Sequence, residues 1–207
     1  MTPGFMDEML TAAEQTGWAL LPDAARSAIE AAGPAPRLVA HLILVHDAAA
    51  MIVAALRRSW PMLDLDWESV AVGAAIHDIG KAFASAELTG PGKTHEPLGE
   101  AFLLEFGLAE RLARQARTHG LAVDDETLVT EDLLVILADK LWRGARKSEL
   151  EDRLALDLSH HTSLDYWDVY PPLLDLCELV SDRADERLSW QSLYPTRTEN
   201  AGDVEGP

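Results

Sequence analysis

At 207 residues and 22.6 kDa the chain has the length of one domain with short additions, and 48% apolar with 25% charged residues excludes a globally disordered protein. Thirty-five acidic against 17 basic residues leave a net charge of −18, a field that repels a phosphate backbone and excludes DNA or RNA as the primary partner. The single Cys177 excludes an intrachain disulfide framework. The opening MTPGFMDEML lacks the basic and apolar regions of a signal peptide. The longest apolar stretch, 38–56, is interrupted by His41, His46 and Asp47, so no membrane span is expected and a cytoplasmic setting is.

Ala, Leu, Glu and Arg dominate and alternating β-branched runs are missing, which predicts an all-α fold. Residues 1–22 read as an N-terminal extension. The first helix proper is expected over 23–32, capped by Asp23 and stopped by Gly33-Pro34. A long helix over about 37–59 is apolar on nearly all sides and should be central. Asp66 should cap a helix over 67–79 that Gly80 ends. A loop rich in Gly and Pro follows at 88–94, and Thr94 should cap a helix running to Gly107. Further helices are expected at 108–118, 130–147, 148–158 and 165–190. The helical domain then covers 23–194, and 195–207, polar and without apolar anchors, should be a mobile tail.

Four of the seven histidines stand in chemically suggestive company. In order the chain offers His46, the pair His77-Asp78, His95, His119 and then Asp139. Neutral imidazole and carboxylate are ligands that Mn, Fe, Co, Ni and Zn accept. His46 has Leu42, Ile43, Ala49 and Ala50 around it on its helix face, and Asp139 has Val135, Ile136 and Trp142. A carboxylate on such an apolar stripe costs several kcal/mol unless it is paired or bound to metal. Read singly, each has an ordinary structural explanation; Asp139, for instance, could pair with Arg143 at i+4. His41, five residues before His46, faces elsewhere on the helix and reads as structural. His160-His161 read as an exposed polar connection, and Trp142 as core.

The string Ala-Ile-His-Asp-Ile-Gly-Lys at 75–81, with His46 before it and Asp139 after it, resembles the HD-domain metal-dependent phosphohydrolase superfamily. The resemblance spans roughly 37–150. It implies a helical bundle with a metal site in its core, with His46, His77, Asp78 and Asp139 holding one ion. His95 and His119 are similar to the two extra ligands of dinuclear members, and Asp78 would then bridge two divalent transition ions (Fe, Mn, Co, Ni or Zn). The implied reaction is hydrolysis of a phosphoester or phosphoanhydride in a small molecule, most readily a nucleotide, by a metal-bridged hydroxide. Two ions about 3.5–4 Å apart clamp a phosphoryl group in this way.

Asp78 and Lys81 are the expected catalytic residues, with Lys81 three positions on and able to neutralise charge on phosphate oxygens. Lys81 and Arg143 are the expected substrate contacts; Lys93, Arg146 and Lys147 are further local positives. The same six ligands would also suit a mixed-valent di-iron oxygenase, and a non-catalytic nucleotide-sensing module is the third reading. Lys81 argues for phosphate chemistry over oxygen activation. No glycine-rich phosphate loop or dinucleotide-binding fingerprint occurs.

Overall fold

A computed structural model describes residues 4–196 of the chain. Among them there is no strand, and the fold is an all-α bundle. Its helices are α1 (Phe5–Thr16), α2 (Asp23–Ala32), α3 (Pro36–Ser59), α4 (Trp67–Ile76), α5 (His95–Phe106), α6 (Glu110–Ala113), α7 (Gln115–Thr118), α8 (Thr130–Leu141), α9 (Ser148–Thr162), α10 (Tyr166–Ser181) and α11 (Ala184–Ser192). Two 3₁₀ turns, Ile79–Ala82 and Ser85–Leu88, join α4 to α5.

The axis of the bundle is α3. It starts on Pro36 at a position where a missing N–H costs nothing, and it packs against α4, α8, α10 and α11. Leu42, Ile43, Leu44 and Val45 on successive positions are all fully buried, so the helix is enclosed on every side. Each such side chain contributes about 1.5–3 kcal/mol on burial. This is the one helix long and apolar enough to cross a membrane among the described residues, but most of it is buried inside the bundle.

Several sequence expectations need correction. The N-terminal extension is largely α1, whose Met6, Met9 and Ala13 are buried in the same core. The helix expected over 67–79 ends at Ile76, so the His-Asp pair lies in the turn that follows. The helix expected over 108–118 is two short turns, α6 and α7. That expected over 130–147 stops at Leu141, with Gly144 at φ +75°. The helix expected over 165–190 breaks at Asp182-Arg183 into α10 and α11. His160 and His161 are exposed, as expected, but belong to the last turn of α9. Residues 197–207 of the expected tail lie outside the described residues.

Capping differs too. Asp66 caps α4 as predicted, accepting from the Ser69 N–H at 3.1 Å. Asp23 is inside α2, where its charge favours the positive end of the helix, and makes no capping bond. Thr94 does not cap α5; Glu87 accepts the N–H groups of Thr94 (3.1 Å) and His95 (3.2 Å) from the neighbouring 3₁₀ turn.

Gly80 does not act as a left-handed helix stop, because its φ is not positive. Its demand is close approach. A Cβ there would run into the backbone carbonyl of His95 and lie 2.7 Å from the Gly99 nitrogen, and one on Gly99 would lie 3.1 Å from the Gly80 nitrogen. The two glycines let α5 lie directly on the turn that carries the His-Asp pair.

Candidate metal centre

Two groups of donors face each other in the core. The first is His41 Nε2, His77 Nε2 and an Asp139 oxygen; the second is Asp78, His95 and His119. In the first, His41 and His77 are 3.3 Å apart, and Asp139 Oδ1 is 3.7 Å from His41 and 3.5 Å from His77. In the second, Asp78 Oδ1 lies 3.1 Å from His95 Nε2 and 3.2 Å from His119 Nε2, and those two nitrogens are 3.3 Å apart. The other Asp78 oxygen, Oδ2, is 3.1 Å from His41 and 3.6 Å from His77. One carboxylate thus presents one oxygen to each group.

His46 is not among these donors, which corrects the ligand set expected from the sequence. Its Nδ1 sits 2.9 Å from the Ala71 carbonyl and its Nε2 2.9 Å from the Leu20 carbonyl, so both nitrogens face backbone oxygens. Burial pushes its pKa down, against the pull of those two carbonyls. His41 takes the expected place. Five residues at 3.6 per turn separate two side chains by about 140° around the helix, so His46, held at the α4 backbone by Ala71, cannot also reach the cluster that His41 joins. The sequence carried one unused hint: His41 has Arg37 one turn back, on a face that opens to a cavity, whereas every face neighbour of His46 is apolar.

The elements position these groups by backbone geometry. His77 is the residue after α4, and its Nδ1 donates to the Ala74 carbonyl at 3.0 Å, which turns Nε2 toward the cluster. His95 begins α5, and its Nδ1 donates to Glu87 at 2.6 Å. Thr118, beside His119, donates to Asp132 Oδ1 of α8 at 3.0 Å, and Arg114 lies 2.9 Å from the same fully buried carboxylate, tying the end of α7 to α8. Glu87 and Asp132 escaped the sequence reading. Their contacts cross between elements, and no local pattern marks them.

With Nδ1 of His77 and His95 engaged as donors, it is Nε2 of each ring that faces the carboxylate oxygens and could bind a metal. Asp78 Oδ1 is buried and accepts no hydrogen bond among the described residues. A divalent ion held between these facing groups would satisfy them together. The spacing agrees: two donors each about 2.1 Å from one ion are about 3.0–3.4 Å apart at octahedral or tetrahedral angles. Burial alone would raise the Asp78 carboxyl, but His77, His119, His41 and His95 hold it well below the ordinary range. Asp139 is depressed in the same way, burial being outweighed by His77, Lys140 and His41. Hydrogen bonding to His95 brings Glu87 down to about 2.

Lys81 reaches the cluster, with Nζ 2.6 Å from Asp78 Oδ2. Asp139 pairs with Lys140 at 2.8 Å and not with Arg143. Arg143 is exposed and lines a cavity of about 500 Å³ that opens over both donor groups. Arg37, Lys81, Lys93 and Lys140 line it as well, five cations against the three carboxylates of Asp78, Glu96 and Asp139. In a chain with twice as many acids as bases, this is a local reversal of sign.

The HD domain family model matches residues 38–144, just over half of the chain, and the chain belongs to that family, one of metal-dependent hydrolases. Comparison with curated proteins and with solved structures returned no match.

Proposed function

We propose that the protein is a metal-dependent phosphohydrolase acting on a phosphoester or phosphoanhydride of a small molecule, a nucleotide being the preferred class, in the cytoplasm. The observation that carries this reading is the cation-lined cavity over two facing donor groups in an otherwise acidic chain. His41, His77 and Asp139 with one Asp78 oxygen would hold one divalent ion, and His95 and His119 with the other oxygen a second. Imidazole-rich ligation favours Mn, Fe, Co, Ni or Zn over Mg. Bound there, such ions supply Lewis acidity toward a phosphoryl oxygen and lower the pKa of water.

The chain's own groups do the rest. Lys81, beside Asp78, and Arg143 offer positive charge to phosphate oxygens, and Arg37 and Lys93 extend it along the wall. Glu87 fixes the tautomer and direction of His95, and Ala74 does so for His77. Five cations around the cavity favour this reading over a di-iron oxygenase, whose C–H substrate gives them no task.

The test is a phosphate-release screen of nucleotides with Mn, Fe, Co, Ni or Mg added to chelator-treated protein. Activity should vanish with chelator, return with a transition metal and return little with Mg. Full activity in Mg with no transition metal bound would overturn the ligand assignment; oxygen uptake without phosphate release would favour the oxygenase.

A further inference from the structure

A helix on the surface of a bundle buries an apolar stripe and turns charged or polar residues to water. The helix α5 departs from this rule. It buries His95, Gly99 and Leu103, and on the opposite side it exposes Pro97, Leu98, Ala101, Leu104 and Glu105. Four of those five are apolar. At 100° per residue they fall within about 60° to either side of Ala101, so they form a single stripe. One flank widens it: the Phe102 ring lies 5.0 Å from that of Phe83 and 6.0 Å from that of Phe106, and Phe83 and Phe106 are exposed. None of these residues lines the cavity over the donor groups. A contiguous exposed apolar surface marks a place where another molecule sits.

Charge selects the occupant. Two copies of this chain, each at −18, repel one another except where the facing surfaces carry few charges. The α5 stripe carries one, Glu105. Another exposed aromatic group, Tyr166, Trp167 and Tyr170 on α10, fails this condition, because the exposed Asp152 bonds Tyr166 and the exposed Asp165 and Asp168 adjoin the rings in the chain.

The stripe is also its own complement. Leu98 and Leu104 stand three residues to either side of Ala101, and Pro97 and Glu105 four. A two-fold axis through Ala101 sets two copies antiparallel, with Leu98 of one against Leu104 of the other. Glu105 then meets the first turn of the facing α5, the positive end of that helix. Ala101, small and at the axis, lets the helices approach to the usual separation of about 8–10 Å. We infer that α5 is the dimer interface of this protein, two copies pairing antiparallel about Ala101.

The test is the molar mass of the full chain by light scattering at about 50 µM, above the micromolar Kd of a weak interface. Wild type should weigh twice the 22.6 kDa of one chain. Leu98 and Leu104 are 39% and 46% exposed, so charges there should leave the fold and its helical circular dichroism unchanged. Leu104→Glu should weaken pairing about 100-fold by setting a carboxylate against an apolar side chain, and should run as a monomer. Leu98→Glu/Leu104→Glu should be monomeric too, whereas Leu98→Lys/Leu104→Glu, with opposite charges facing across the axis, should pair again. A monomeric wild type would overturn the inference and leave the face to a different protein. A dimer that survives Leu98→Glu/Leu104→Glu would place the interface elsewhere. Failure of the opposite-charge variant to pair would overturn the antiparallel arrangement about Ala101.

Discussion

Asp78 is the residue on which the site turns, because its two oxygens face different donor groups. Its removal should therefore empty the whole centre, whereas His95→Ala and His119→Ala should each weaken one ion and spare the other. Elemental analysis of purified variants should give about two metals per chain in wild type, about one for either histidine variant and close to none for Asp78→Ala. His41→Ala should lose metal while His46→Gln keeps it, and the reverse result would restore the ligand set read from the sequence. Glu87→Ala should mimic His95→Ala in part, since loss of such an orienting partner typically costs about 10–100-fold in metal affinity; Glu87→Gln, which still accepts a hydrogen bond, should recover some of it. Lys81 differs in kind. Its ammonium contacts Asp78 but belongs to the cavity wall, so Lys81→Ala should lower kcat/KM by about ten- to a thousandfold with metal content unchanged. Normal turnover by this variant would reduce Lys81 to a charge partner of Asp78.

At the level of elements, a helix is legible wherever its own sequence decides it, and illegible wherever a neighbour does. The apolar enclosure of α3, the Asp66 cap and the stops at Gly33 and Gly107 are local, and each is where the pattern predicts it. The early end of α4 is not local, because the His-Asp turn must meet α5 through Gly80 and Gly99, which are 19 residues apart. The choice between His41 and His46 is equally tertiary. Both precede the His-Asp pair on one helix, and only the packing of Leu20 and Ala71 against α3 reserves His46 for backbone carbonyls. That packing has a pH signature. Burial lowers the His46 pKa in the folded chain, so as pH falls the unfolded chain takes up the proton first. The stability due to neutral His46 is then complete above about pH 6.5 and is lost as pH drops below it. Urea midpoints of metal-free protein at pH 7.5 and 5.5 should fall more for wild type than for His46→Gln. An equal fall in both would mean that His46 carries no such linkage.

Over the whole molecule, charge is unevenly spent: −18 overall, with cations gathered at one cavity and one ion pair sealed inside. That pair joins the segment after α1 and the helix α11 to the axial helix α3. Arg187 of α11, fully buried, donates to Asp47 Oδ2 of α3 at 3.0 and 3.1 Å and to the Val180 carbonyl at 2.7 Å, while the Ala19 N–H donates to Asp47 Oδ1 at 3.2 Å. Arg183 lies 4.4 Å over the Trp18 ring beside it. One carboxylate on the axial helix therefore anchors both the segment after α1 and the last helix, which carries Gln191 to the cavity wall. A buried pair gains little over a well-packed apolar substitute, but removing one partner strands the other charge at a cost of about 3–5 kcal/mol. Asp47→Leu, which strands the fully buried Arg187, should accordingly lower Tm by roughly 10 °C, at about 2–4 °C per kcal/mol for a domain of this size. Arg187→Met alone should cost less, because Arg183 lies 3.7 Å from Asp47 Oδ2 and still balances it, and the double variant Asp47→Leu/Arg187→Met should recover most of the larger loss because Arg183 keeps Glu186 at 3.2 Å and no buried charge is left unpaired. Metal content should stay at the wild-type level in the double variant, since Asp47 and Arg187 lie outside both donor groups. Additive losses in the double variant, measured by calorimetry, would show that the two residues act through packing and not as a pair.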